Sequence, residues 1–294
     1  MLELDALTKR FGDHAAVDEV SFTVPAGRMV GFVGGNGAGK TTTMRMIMGV
    51  LAPTSGEIRW DGVPVTRAER RRFGYMPEER GLYPKQPILT QLTYLGRLRG
   101  MDKQAAQERA TDLLGRFGLG ERVKDKVETL SLGNQQRGQI IASVLGDPIM
   151  LVLDEPFSGL DPSAVDQMCA LLREHTDAGV PVLFSSHQLD LVDRLCDSIV
   201  VLHQGRVVAE GTSAELRSSA PLRYRLVTSG DTGWLAEQPG IEVVETGADG
   251  VLLAPSDEAA AERVLAAAVS RGGVAEFARL RPTLSEIYRE VTEV

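Results

Sequence analysis

The chain has 294 residues, 43% of them hydrophobic and 24% charged, which is too apolar for disorder and long enough for about two domains of roughly 150 residues. A formal net charge of −8 argues against a global nucleic-acid-binding surface, because phosphate contacts need a basic field. Residues 1–11 lack the basic-then-apolar layout of a signal peptide, and no stretch approaches the roughly 20 apolar residues that span a bilayer.

Short β-like runs come first, at Leu2–Leu7, Ser21–Val24 and Met29–Val33. The last enters a glycine-rich turn, and Lys40–Met48 follows with helical character; Gly56–Asp61 reads as another strand after a Pro-Thr-Ser-Gly turn. From about Leu89 the spacing of Leu92, Leu95 and Leu98, then of Ala106, Ala110, Leu113, Leu114 and Phe117, predicts two helical segments. The apolar runs Ile149–Leu153, Val180–Phe184 and Ile199–Leu202 have the length of buried strands, and alternation with helices there predicts a mostly parallel sheet. A helical insert thus interrupts an α/β core. Cys169 and Cys196 fall in apolar-periodic segments and read as reduced thiols packed in a core.

Ser218-Ser219-Ala220-Pro221 reads as a linker. Beyond it come a strand (Arg223–Thr228), a short helix near Trp234, a strand (Ile241–Glu245), a Gly-Ala-Asp-Gly turn and a strand (Val251–Ala254). A helix (Asp257–Ser270), a strand (Val274–Leu280) and a helix (Thr283–Val291) close the chain. That order is similar to a small ferredoxin-like α+β unit, and it carries no catalytic constellation.

Gly34-Gly35-Asn36-Gly37-Ala38-Gly39-Lys40-Thr41 fits the phosphate-binding pattern G-x-x-x-x-G-K-[ST] between a predicted strand and a predicted helix. Glycines let consecutive backbone N–H groups turn toward a polyphosphate, and the helix beginning near Lys40 adds the positive end of its dipole. Lys40 can reach the β- and γ-phosphates, the Thr41 hydroxyl can ligate Mg²⁺, and Thr42 is placed near the α/β-phosphates. Asp154-Glu155 emerges from the end of a buried strand, where α/β sheets place ligands. In company with the loop, Asp154 is expected to hold Mg²⁺ and Glu155 to act as general base on water.

Ser158-Gly159-Leu160-Asp161-Pro162 launches the next helix. Asp161 reads either as its N-cap or as a residue facing another subunit, the second being preferred here. His187, at the polar tip of another buried strand, is placed for a γ-phosphate contact. Leu130-Ser131-Leu132-Gly133-Asn134-Gln135-Gln136-Arg137 precedes the apolar run Ile140–Leu145. Ser131 can cap a helix whose N-terminus would present N–H groups to an anion, although nothing within the chain requires a second anion site.

These segments, in this order, resemble an ABC ATPase over about residues 1–217, with a helical subdomain at about 79–148 and an accessory domain at 221–294. The run Tyr75-Met76-Pro77-Glu78-Glu79-Arg80-Gly81-Leu82-Tyr83-Pro84 is similar to the drug- and sodium-exporter ATPases that serve ABC-2-type membrane subunits. The resemblance implies ATP and Mg²⁺ as ligands and a head-to-tail dimer, homomeric or heteromeric, with ATP at the interface. Ser131 and Gly133 would then contact the γ-phosphate held by the other chain, and Phe11 would stack on adenine, where the other reading is a core phenylalanine. Glu78 takes the place of the usual glutamine that senses Mg²⁺ and the transporter; a carboxylate could ligate the metal directly, with altered coupling. Leu132 and Asn134 replace the usual Gly and Gln, as in the exporter subgroup.

The expected function is ATP hydrolysis powering a separate membrane permease, an exporter, from the inner face of the cell membrane, with no nucleic-acid partner. The alternatives are a soluble ABC ATPase acting on ribosomes or nucleic acid, and a regulatory module that binds ATP without hydrolysis.

Overall fold

The computed structural model describes residues 1–79, 81–247, 249–280 and 282–292. Alternating apolar and polar residues at the start form two long antiparallel strands, β1 (Leu2–Phe11) and β2 (His14–Val24), in which Phe11 pairs with His14. β1 runs past the expected end at Leu7, because Lys9 and Arg10 are held by the hairpin to Val17 and Ala15 and carry no apolar signal. β3 (Met29–Gly34), buried at every position, enters the glycine turn and then α1 (Lys40–Ile47). β4 (Ser55–Trp60) pairs with β1, and β5 (Val63–Pro64) with β4, completing an antiparallel sheet of order β2-β1-β4-β5.

The short helix α2 (Arg67–Arg71), capped reciprocally by Thr66 and Glu69, leads to β6 (Phe73–Met76). The insert follows as α3 (Ile88–Leu98), α4 (Lys103–Arg116) and α5 (Leu132–Val144). The spacing that predicted its first two helices produces the expected buried face on α4, where Ala106, Ala110, Leu113 and Leu114 are sealed. On α3 the stripe splits, with Leu92 buried and Leu98 65% exposed.

The core resumes with β7 (Met150–Leu153), α6 (Pro162–Asp177), β8 (Val182–Ser186), α7 (Leu189–Leu195), β9 (Ser198–His203) and β10 (Arg206–Gly211). The second sheet has the order β10-β9-β3-β8-β7-β6 and is parallel except for the β9–β10 hairpin. Chain order does not foretell that order, and it sets the site: the C-terminal ends of β3, β8, β7 and β6 lie along one edge. The core fills the space between the sheets, with Phe22 and Phe32 rings 5.2 Å apart and Met44 and Ile47 of α1 fully buried.

The chain divides into two units, Met1–Ser213 and Ala214–Val294. α8 (Ser213–Ser219) occupies the first part of the segment that read as a linker. The second unit contains β11 (Arg223–Thr228), β12 (Ile241–Gly247), β13 (Gly250–Pro255), α9 (Glu258–Arg271), β14 (Val274–Leu280) and α10 (Leu284–Thr292). Its antiparallel order β12-β13-β11-β14 is the ferredoxin-like order, with a 3₁₀ turn at Gly233–Glu237 where the first helix would stand. Leu226, Leu235, Val251, Leu253, Val264 and Ala268 form its core. Ala248, in the expected turn before β13, lies outside the described residues. Both cysteines are free, Cys169 buried and Cys196 half-buried. Among the described residues no helix is long and apolar enough to cross a membrane.

Candidate active site

The turn from β3 into α1 is tightly constrained. Gly39 has φ +106, and a Cβ there would stand 2.6 Å from the Ala16 carbonyl oxygen, so a side chain is excluded on both counts. Lys40, 9% exposed, folds its ammonium back along the turn and donates to the carbonyls of Gly34 at 2.6 Å and Gly35 at 3.1 Å. The Thr43 hydroxyl donates to the Gly39 carbonyl at 2.9 Å and ties the first turn of α1 to the loop. Residues 35–42, Ala16, Glu78, Asp154 and Glu155 line a cavity of 320 Å³. The structure thereby brings together the expected phosphate loop, Gly34, Gly35, Asn36, Gly37, Ala38, Gly39, Lys40, Thr41 and Thr42, with three acidic side chains.

Asp154, 1% exposed, stands at the end of β7 and accepts two short bonds, from Thr41 Oγ1 at 2.7 Å and from Ser185 Oγ at 2.6 Å. Leu153 pairs with Phe184 across the sheet, so the next residues, Asp154 and Ser185, meet at the strand tips. Ser185 also accepts the Glu155 backbone N–H at 2.8 Å. Glu155 is half-buried and has φ +50. Its Oε2 meets His187 Nδ1 at 2.9 Å. Burial pushes the Glu155 carboxyl above its ordinary value, against the opposing pull of His187 and Lys40. A carboxyl with raised basicity beside a phosphate loop suits proton abstraction from water. Tyr75 on β6 is likewise pushed up, chiefly by burial and then by the Asp154 charge.

The remaining expected site residues form a second group. Ser131 caps α5, its hydroxyl accepting the Asn134 N–H at 3.4 Å. Gly133 faces the segment after β7, where a Cβ on it would lie 3.0 Å from the Gly159 carbonyl oxygen. Asp161 caps α6 by accepting the Ala164 N–H at 2.8 Å, and its other oxygen pairs with Arg137 at 2.9 Å. Both of its carboxylate oxygens are therefore engaged within the chain, which supplies the capping role. Ser131, Gly133, Asp161 and Phe11 are absent from the lining of the phosphate-loop cavity. Phe11 is 53% exposed, with Lys9 Nζ 5.3 Å from its ring centre, so it is not a core residue. Arg80, within the segment containing Glu78, lies outside the described residues.

Three participants escaped the sequence reading. Ser185 is a buried hydroxyl interrupting an apolar strand, a signal that was visible; its partners, 30 and 31 positions away, were not. Gln136 and Arg137 stand in the run of polar residues on α5, and their contacts with the segment after β7 depend on tertiary packing.

The chain resembles known proteins along most of its length. The family described as ABC transporter matches residues 17–158, and the family described as the C-terminal domain of DrrA1-3-like ATP-binding proteins matches residues 211–292. The uncharacterized ABC transporter ATP-binding protein YhaQ of Bacillus subtilis is 41% identical over 99% of this chain and 98% of its own length. The daunorubicin/doxorubicin resistance ATP-binding protein DrrA of Streptomyces peucetius is 40% identical over 76% of this chain and 70% of its own. A solved ATP-binding subunit of an ABC transporter superposes with a TM-score of 0.69 at 34% identity, covering 74% of this chain and 92% of that one. Matches whose ranges cover the phosphate loop, the acidic pair and the second unit, with a relative 41% identical over 99% of the chain, mean that the chain belongs to the ATP-binding subunits of ABC transporters, the ATPases that power them.

Proposed function

We propose that this ATPase works as a head-to-tail dimer in which each ATP is held between the phosphate loop of one chain and the α5 tip of the other. The observation that carries this reading is the separation of the expected site residues into two groups. The loop, Asp154, Glu155 and Glu78 share one cavity, while Ser131 and Gly133 form the N-terminus of α5 outside its lining, with Asp161 tied to the same helix through Arg137. A second chain supplies the ligand for that tip and the tip for that ligand. Phe11 is exposed and available to stack on adenine.

Within the cavity, Lys40 and the loop N–H groups hold the β- and γ-phosphates. Thr41 and Asp154 present a hydroxyl and a carboxylate, hard oxygen donors that suit Mg²⁺. Glu78 adds a third oxygen donor at the cavity wall. Once bound, Mg²⁺ would neutralise charge on the phosphate oxygens. Glu155 takes the proton of the attacking water, and His187 orients its carboxylate and reaches the γ-phosphate.

The transport partner is an ABC-2-type permease, and the cargo moves outward, in keeping with the drug-resistance name of DrrA. The chain would then sit at the inner face of the cell membrane. On α3, Tyr94 and Leu98, one turn apart, stand 55% and 65% exposed, and Tyr83, 68% exposed, lines a cavity with Tyr94, an apolar surface on the insert that suits a helix of the permease. ATP closes the dimer only through its higher affinity for the closed form, and the insert passes that movement on. The second unit, whose described residues form no catalytic cluster, braces or regulates the dimer.

The test uses Glu155→Gln. With ATP and magnesium this chain should elute as a dimer and return to monomer when ATP is removed, while turnover falls at least about 10²-fold. A chain that stays monomeric at saturating ATP refutes the shared site, and undiminished turnover refutes the base.

A further inference from the structure

Glu155 adopts φ +50, a left-handed conformation that a side-chain-bearing residue keeps only where its surroundings over-determine it. Two side chains do so here. Ser185 on β8 accepts its N–H at 2.8 Å. On the other side, the Gln136 side-chain amide on α5 donates to the Glu155 carbonyl at 3.1 Å and to the Pro156 carbonyl at 3.2 Å. The next residue, Arg137, holds Asp161 at 2.9 Å, and Gly133 faces Gly159 between them. One helix thus grips the segment from Glu155 to Asp161 at both ends, and the same helix carries Ser131 as its N-cap.

We propose that Gln136 is a positioning residue that ties the α5 tip to the base of its own chain, coupling the two nucleotide sites of the dimer. The inference rests on the shared-site reading above. In such a dimer the tip of α5 completes the partner's site, whereas Glu155 serves the chain's own. A helix moves as a rod over the single turn and a half from Ser131 to Gln136. Displacement of the tip by the partner's nucleotide is therefore delivered to the Glu155 carbonyl, and the strained peptide turns the carboxylate with it. Gln136 touches no substrate; it fixes where the base points.

The experiment compares the full-length wild-type chain with Gln136→Met, which keeps length but loses the donor, and Gln136→Lys, which restores an N–H donor. Losing hydrogen bonds to two carbonyls should lower kcat about tenfold in Gln136→Met. The Hill coefficient for ATP should fall from about 2 toward 1, while KM and nucleotide Kd stay close to wild type and Tm falls by no more than about 6 °C. Gln136→Lys should recover both kcat and cooperativity. Unchanged kcat or Hill coefficient in Gln136→Met, a non-cooperative wild type, loss of activity accompanied by weaker binding or a larger fall in Tm, or failure of Gln136→Lys to rescue each overturns the proposal. The double variant Glu155→Gln/Gln136→Met should still dimerise with ATP. If Glu155→Gln alone dimerises and Gln136→Met behaves as wild type, only this coupling fails; if Glu155→Gln never dimerises, the shared site fails with it.

Discussion

Ser185 is the residue on which both members of the acidic pair, Asp154 and Glu155, depend, so its removal should be costly in a calculable way. Its hydroxyl is fully buried, donates to Asp154 Oδ1 at 2.6 Å and accepts the Glu155 N–H at 2.8 Å. Ser185→Ala removes a hydrogen bond to a charged acceptor, a contribution of about 1.5–3 kcal/mol, and leaves a backbone N–H unpaired at a further ~1–3 kcal/mol. Relaxation of the strand tips recovers part of this, so the expected loss is about 3 kcal/mol. For a unit of this size each kcal/mol lowers Tm by about 2–4 °C, giving a fall of about 6–12 °C. Scanning calorimetry of the full chain measures it. Ser143→Ala is the control: that hydroxyl is also fully buried, but it only adds a bond at 2.7 Å to the Ile140 carbonyl within its own helix, so its loss should cost less than about 1 kcal/mol. Equal shifts in the two variants, or a fall under about 2 °C in Ser185→Ala, would show that the serine does not anchor the acidic pair.

Because burial raises the Glu155 carboxyl and a base must be ionised, kcat should fall on the acid side at a pH above the ordinary glutamate range. His187 pulls that carboxyl down, so His187→Ala should move the limb to still higher pH; a pH–rate profile with its limb in the ordinary range contradicts the assignment. The stability sign follows: with the folded value raised, the contribution is fully present below the unfolded value and lost as pH rises through the folded one. Glu155→Gln should therefore match the parent in Tm at low pH and exceed it above the limb. Phe11, 53% exposed, should contribute stacking of about 1–3 kcal/mol per base. Phe11→Ala should weaken ATP binding about tenfold in a fluorescent-nucleotide titration while Phe11→Tyr does not, and equal affinity in all three chains rules out adenine stacking there.

The phosphate loop was legible because its physics is local. Glycines at fixed spacing, a lysine and a hydroxyl at the start of a helix make a cradle within nine residues. The strands before Asp154 and His187 were legible because a buried strand writes itself as a short apolar run, Met150–Leu153 in one and residues 182–184 in the other. The ferredoxin-like second unit followed from its element order alone, and the strands at Arg223–Thr228 and Val274–Leu280 lie where they were expected. Short edge elements such as β5, α2 and β10 left little trace, since half-exposed strands and single capped turns carry weak periodicity.

The amino-acid order by itself determined which chemistry the chain owns: an anion cradle, two carboxylates at a strand end, an imidazole and a capped helix tip. Tertiary structure decided which of these act together. The sheet order β3-β8-β7 seats Ser185 against Asp154 and Glu155, and the packing of α5 on the following segment puts Gln136 on the Glu155 carbonyl. Those pairings join residues far apart in the chain, and no periodicity encodes them. They arise when buried polar groups, cut off from water, take the partners that strand pairing and helix packing bring within reach.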